Sequence, residues 1–348
     1  MRRWLAVSTF AIGLFLVTIT VRAKILRIDL LHNAPWSPVV RQPAQAPADG
    51  WVPYGTTYVW SSNFSDLEGL KARLQYVHSL GLRTLIQMHN PNAPLTERRR
   101  FLDEAHALGL RVIVRLSGAD SSSPPWGWNG EHFDLTPLET FLSGDGIADH
   151  PALLAIYGFH VPWDDFTAAE IRQFYTEFHT AAPDIPLYHD LVWVEEPPYS
   201  DFSAGMCDLC EVSSMPHMWL ADDTPFNNER HVTEKIVRYT SRVRQADPNA
   251  QIWIQAQAFQ QQPNFRMPTA QDMIWHAETL MEHVDFDGLL WYSYLHSYEH
   301  QLGDDGMEAQ RQAVHTVYST YYAGYPTPTP SPTPWSPTDW VYLPLVRK

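Results

Sequence analysis

Two stretches of this chain repeat one another 28 residues apart: Gly81-Leu82-Arg83-Thr84-Leu85-Ile86 and Gly109-Leu110-Arg111-Val112-Ile113-Val114. In each copy a glycine closes a helix-like pattern, where a left-handed cap brings no side-chain clash. The apolar run behind it has the unbroken hydrophobic character of a parallel strand buried on both faces. Helix, cap and strand in that order form one βα unit, and the rest of the chain keeps the rhythm. Strand-like runs fall near residues 56–60, 82–88, 110–116, 153–160, 186–191, 207–213, 251–257 and 287–294. Helical patterns fall near 66–80, 96–108, 167–180, 229–245, 270–284 and 306–322. Ser65 and Glu68 form a capping box ahead of Leu67, Leu70, Leu74 and Val77, and Thr167 with Glu170 repeats it ahead of Ile171, Phe174, Tyr175 and Phe178. Eight strands alternating with at least six helices predict an α/β chain closed as a (β/α)8 TIM barrel rather than an open doubly wound sheet. Dinucleotide and P-loop glycine signatures are missing. The third and fifth crossovers are expected to be irregular, since residues 193–205 hold two prolines and no helical period.

Among the 348 residues, 45% are hydrophobic and 13% aromatic, enough for one large core. The 24 Lys+Arg against 39 Asp+Glu leave a net charge of −15 with no basic stripe, which argues against a nucleic-acid partner. Residues 1–23 pair Arg2-Arg3 with an apolar run and end in Val21-Arg22-Ala23, the pattern of a secretory signal or of an uncleaved N-terminal anchor. Either places the folded part outside the cytoplasm, extracellular or at the cell surface. Residues 24–49 form an N-terminal extension and 50–323 the barrel. Residues 324–338 are a Pro/Thr-rich linker expected to stay extended. The tail, 339–348, carries the six-residue apolar run Val341 to Val346 and a basic end, and is too short to cross a bilayer. It reads as a surface-attachment or sorting signal, or as a small strand docked on the domain.

A barrel of this kind gathers its chemistry at the C-terminal ends of the strands. After the fourth strand stand His160, Trp163, Asp164 and Asp165. An acid beside apolar rings can hold its proton to a working pH, which makes Asp164 or Asp165 a candidate general acid. The same two residues also suit the start of the next helix. Asp190 ends the fifth strand and Glu211 lies on the sixth, where alternation pairs it with Leu209 and Ser213 on a face that is either the barrel interior or the helix layer. Gln255 and Gln257 on the seventh strand, and Trp291, Tyr292 and Tyr294 on the eighth, offer the polar and aromatic groups that hold a hydroxyl-rich, flat-faced ligand.

Histidines recur at strand ends, among them His89, His160 and His189, and suit either sugar hydroxyls or a metal ion. No His-x-His follows the first strand and no His-Glu-x-x-His occurs, so no metal or organic cofactor is expected. Trp126 and Trp128, on the loop after the third strand, either stack on sugar rings or pin that loop to the barrel. Cys207 and Cys210 are the only cysteines; on a straight strand they face opposite ways, so two packed thiols are expected rather than a disulfide.

The domain resembles the glycoside hydrolase-type TIM barrels of exported bacterial proteins. The resemblance rests on Tyr157 to Asp165, Cys207-Asp208 through Met215-Pro216, Gln257 to Phe259, Met267 to Thr269 and Trp291 to Tyr294. It implies a Glu acid at the fourth strand and a Glu nucleophile at the seventh, where this chain has Asp165 and Gln257 instead. A glutamine cannot act as a carboxylate nucleophile. The expected function is therefore a glycoside hydrolase-like protein acting on a polysaccharide or glycoconjugate, by an inverting mechanism with Asp165 as acid and Asp190 or Glu211 activating water. The alternatives are a non-catalytic carbohydrate-binding barrel at the cell surface and a metal-dependent hydrolase built on the strand-end histidines.

Overall fold

Eight parallel strands, β1 to β8, close on themselves in chain order. This computed structural model describes residues 51–57, 67–89, 95–116, 126–143, 146–160, 165–191, 202–215, 229–261, 265–294 and 300–324. Strands β1 (Tyr54–Thr57), β2 (Thr84–His89), β3 (Arg111–Leu116) and β4 (Leu153–His160) are followed by α1 (Leu67–Ser79), α2 (Leu95–Ala107), α3 (Thr136–Leu142) and α4 (Ala168–Ala181). Then come β5 (Leu187–Asp190), β6 (Leu209–Ser213), a π turn (His231–Ile236) running into α5 (Val237–Ala246), and β7 (Gln251–Gln257). The helix α6 (Ala270–His283), strand β8 (Gly288–Tyr292) and helix α7 (Glu308–Tyr321) complete the circuit. Pairing of Tyr54 with Leu289 and of Thr56 with Trp291 shuts the ring between β1 and β8.

All eight expected strands and all six expected helices are present. The third crossover adds the short helix α3, and the fifth has no helix among its described residues. Gly81 and Gly109 adopt φ of 89° and 69°, the left-handed caps that the repeated unit requires. The Thr167–Glu170 box is formed, and a second one, Thr269 with Asp272, starts α6. Ser65 lies outside the described residues.

Alternation along each strand separates two cores. Outward residues such as Val112, Ile156, Cys210, Ile252 and Leu289 pack with helix residues such as Leu74, Phe101, Phe174 and Val314. Inward residues Ile86, Ile113, Ala155, Tyr157, Tyr188, Leu209, Trp253 and Leu290 fill the barrel. Trp51, just ahead of β1, stacks on Trp253 with ring centroids 5.5 Å apart and donates from Nε1 to Thr84 Oγ1 at 3.1 Å. The N-terminal end of the barrel is thereby plugged with aromatic surface. Room for the Trp253 indole comes from Gly288, where a Cβ would lie 2.6 Å from the ring.

Cys207 and Cys210 are joined by a disulfide, which corrects the expectation of two free thiols. The straight-strand argument does not apply because β6 begins at Leu209 and Cys207 precedes it. The bend there leaves the two Cα atoms 5.7 Å apart, within bridging range. No helix among the described residues is long and apolar enough to cross a membrane. The leader, the extension and the Pro/Thr tail lie outside the described residues.

Candidate active site

One step along each strand changes the chemistry of the barrel interior. Side chains two residues apart share a face. Two residues beyond the inward Ile113, Ala155, Tyr188, Leu209, Trp253 and Leu290 stand Arg115, Tyr157, Asp190, Glu211, Gln255 and Tyr292. The lining therefore passes from apolar to polar toward the C-terminal mouth, the end at which barrels of this kind bind ligands. Glu211 lies on the same face as the inward Leu209, so it points into the barrel and not into the helix layer, which settles that alternative.

Asp190 is the hub of this polar tier. It is buried, accepts from the Tyr157 hydroxyl at 3.0 Å, and meets His160 Nδ1 at 2.6 Å through the same oxygen, Oδ2. A shift of register in β4 between Tyr157 and His160 sets His160 beside Asp190. About a third of the His160 side chain, 35%, remains exposed, whereas only 3% of Asp190 does. The Arg115 guanidinium lies over the Tyr157 ring at 5.0 Å, adding a cation above the hydroxyl-bearing ring.

Glu211 is the register partner of Asp190 on one side and of Trp253 on the other. It is fully buried, and neither carboxyl oxygen has a hydrogen-bond partner among the described residues. Burial pushes its pKa well above the ordinary carboxyl range, because an ionised carboxylate there would lose its hydration with nothing in exchange. Burial therefore favours the protonated form of Glu211, the form that can donate. The Tyr188 hydroxyl, on the same interior surface, is likewise buried without a partner among the described residues.

On the adjoining strands β7 and β8, Gln257 pairs in register with Tyr292. Its Nε2 donates to the carbonyls of Phe259 at 3.0 Å and Arg266 at 2.8 Å, so its amide is tied to the loop after β7, and its buried Oε1 has no partner among the described residues. Tyr292 meets Phe259 edge to face with centroids 5.4 Å apart. Gln255 is buried, and its backbone carbonyl accepts from the Ser214 hydroxyl at 3.1 Å. A short antiparallel pair, Phe259–Gln260 with His300–Gln301, links the segments after β7 and β8 beside these residues.

Other expected site residues lie elsewhere. Asp165 is exposed on the turn ahead of α4 and is not part of the interior tier, while Trp163 and Asp164 lie outside the described residues. His189 points outward, fully buried between Phe159 and Phe174, and burial lowers its pKa to about 3. Trp291 also faces outward and donates from Nε1 to Tyr54 Oη at 2.7 Å, and Tyr294 packs into the same outer core. Trp126 is fully buried against Phe174, donating to the Gly158 carbonyl at 2.9 Å, so its indole pins the loop and has no face left for a ligand. Trp128 is half-buried against Phe133. His89 ends β2, and its side chain lies outside the described residues.

Sequence reasoning overlooked Arg115 and Tyr157 as site residues. The signal that finds them is the polar residue two places beyond an inward apolar one, read on every strand at once. Among the described residues no three His, Cys, Asp or Glu side chains converge as a metal site would require.

No protein-family model and no curated protein sequence matches the chain. Solved structures do match in fold. A GH5_18 protein from Bifidobacterium longum subsp. longum ATCC 55813 superposes with a TM-score of 0.59 at 13% identity, covering 79% of this chain and 81% of that one. A variant of that protein in complex with Manβ1-4GlcNAc superposes with a TM-score of 0.57 at 13% identity, covering 79% and 80%. At such identities the likeness is one of fold: the chain folds as the TIM barrel found in glycoside hydrolases.

Proposed function

We propose that the protein is an exported glycoside hydrolase-like barrel that binds an oligosaccharide at its C-terminal mouth and cleaves it with Asp190 and Glu211. The observation that carries this reading is the interior tier in which these two carboxyl groups occupy neighbouring strands in contrasting surroundings, one hydrogen-bonded and one bare. Hydrolysis of a glycosidic bond commonly uses two carboxyl groups, one that gives a proton and one that serves the attack. Glu211, holding its proton, would give it to the leaving oxygen. Asp190 would serve the attack of water on the anomeric carbon. Gln255, Gln257 and Tyr292 supply the amides and the aromatic face that hold hydroxyl groups and sugar rings. Asp165, exposed at the head of α4, is better read as a helix-start acid. Export is supported by the leader pattern of residues 1–23, and surface retention by the Pro/Thr linker and basic end.

The second reading, a barrel that binds glycan without cutting it, draws on Gln257. Its amide is fixed to two backbone carbonyls at the position where the family resemblance expects a carboxylate. Purified protein tested on a panel of oligosaccharides, with mannose- and N-acetylglucosamine-containing ones first, separates the two. The hydrolase reading expects reducing-end release that falls at least ~100-fold in Glu211→Gln. Retention of an oligosaccharide with no release by either protein would leave only the binding reading, and neither retention nor release would remove both.

A further inference from the structure

We propose that the base of this site is the imidazole of His160, acting through Nε2, and that Asp190 is its positioning residue. This inference rests on the hydrolase reading above and assigns the group that takes the proton from water. Asp190 as a carboxylate can only accept, so at 2.6 Å its Oδ2 calls for the proton of the imidazole on Nδ1. The neutral ring then has an unprotonated Nε2, and no described residue is hydrogen-bonded to it. Asp190 itself is nearly enclosed, with both Tyr157 and His160 on one of its oxygens, while His160 keeps an exposed portion at the C-terminal end of β4. The exposed member of the pair is the one that reaches a water molecule. Among the described residues, the charged and titratable groups near it are Asp190 on β5, Tyr157 on its own strand, Arg115 on β3 over the Tyr157 ring, and Glu211 on β6 beside Asp190.

The step balances without any added reagent. Water oxygen bonds to the anomeric carbon as its proton passes to His160 Nε2. The bond from that carbon to the glycosidic oxygen breaks, and this oxygen takes the proton of Glu211. The imidazolium, facing Asp190, and the Glu211 carboxylate regain their starting states by proton exchange through solvent.

Two substrate classes separate the roles. A 4-nitrophenyl glycoside has a leaving group that needs no proton, whereas an unactivated oligosaccharide does. Glu211→Gln is expected to spare a hydrolysed 4-nitrophenyl glycoside and to lose the oligosaccharide. His160→Ala is expected to lose ~100-fold or more in kcat on both, with KM little changed and added imidazole restoring part of the rate. The pH profile of kcat/KM is expected to differ between the wild type and His160→Ala, and Asp190→Asn is expected to change it as well. Nitrogen-15 NMR of the folded wild type is expected to show His160 protonated at Nδ1, whatever the substrate. Wild-type cleavage with an unchanged rate and profile in His160→Ala would overturn this inference alone, as would a loss confined to KM or one that imidazole does not rescue. Absence of cleavage by the wild type across both classes would overturn the hydrolase reading and this assignment with it.

Discussion

A carboxyl group enclosed by a barrel without a hydrogen-bond partner destabilises the fold unless it keeps its proton, and Glu211 is such a group. Below the ordinary value of 4.5 the folded and unfolded chains both hold this proton. As pH rises, the unfolded chain releases it while the folded one does not, so stability falls from about pH 4.5 up to the raised folded value. Glu211→Gln should match the wild type near pH 4 and exceed it at pH 8. The gap should grow by about 1.4 kcal/mol for each pH unit within that window. Urea denaturation at the two pH values measures it, and a gap that does not change with pH would contradict the burial argument. His189 works in the opposite sense: with its pKa lowered from 6.5 to about 3, the stability tied to its neutral form is lost as pH falls below 6.5. Both groups store free energy in a chosen protonation state, but only Glu211 does so on the interior face of the barrel.

At the scale of elements, strands were legible because burial on both faces writes them as unbroken apolar runs between glycine caps and turns. Short α3 was not legible: Thr136–Leu142 spans two turns and buries only Leu138 and Phe141, too little to show a period. The site was legible in part. Asp190, Glu211, Gln255, Gln257, Tyr292 and His160 could be singled out as strand-end residues, yet one strand read alone cannot say which face is inward. Facing sides became definite only once Leu209 was seen packed with Ile113, Tyr188 and Trp253. The same fit of large against small carries a prediction. Gly288→Ala on β8 would bring its methyl against the Trp253 indole, which is itself stacked on Trp51. The expected loss is about 1 to 3 kcal/mol in chemical denaturation. Substitution at exposed Gly306, where a Cβ meets nothing within 4 Å, would feel only the cost of its φ of 82°.

For the molecule as a whole, the two ends of the barrel are unlike. The N-terminal end is shut by the Trp51–Trp253 stack, and the C-terminal end carries Arg115, Tyr157, His160, Asp190, Glu211, Gln255 and Tyr292. The polar tier, and not the aromatic stack, offers the hydrogen-bonding groups that the proposed hydroxyl-rich ligand would use, which is why the proposal puts binding at the C-terminal mouth. The net charge of −15 fits this division, since an uncharged oligosaccharide needs no cationic surface to approach. The most direct check is a crystal structure of the Glu211→Gln protein soaked with an oligosaccharide that the wild type retains or cleaves. Sugar within hydrogen-bond distance of His160 at the C-terminal mouth, with a ring facing Tyr292, is the expected result. Sugar bound on the outer helices or at the Trp51 end, with the interior tier untouched, would contradict it.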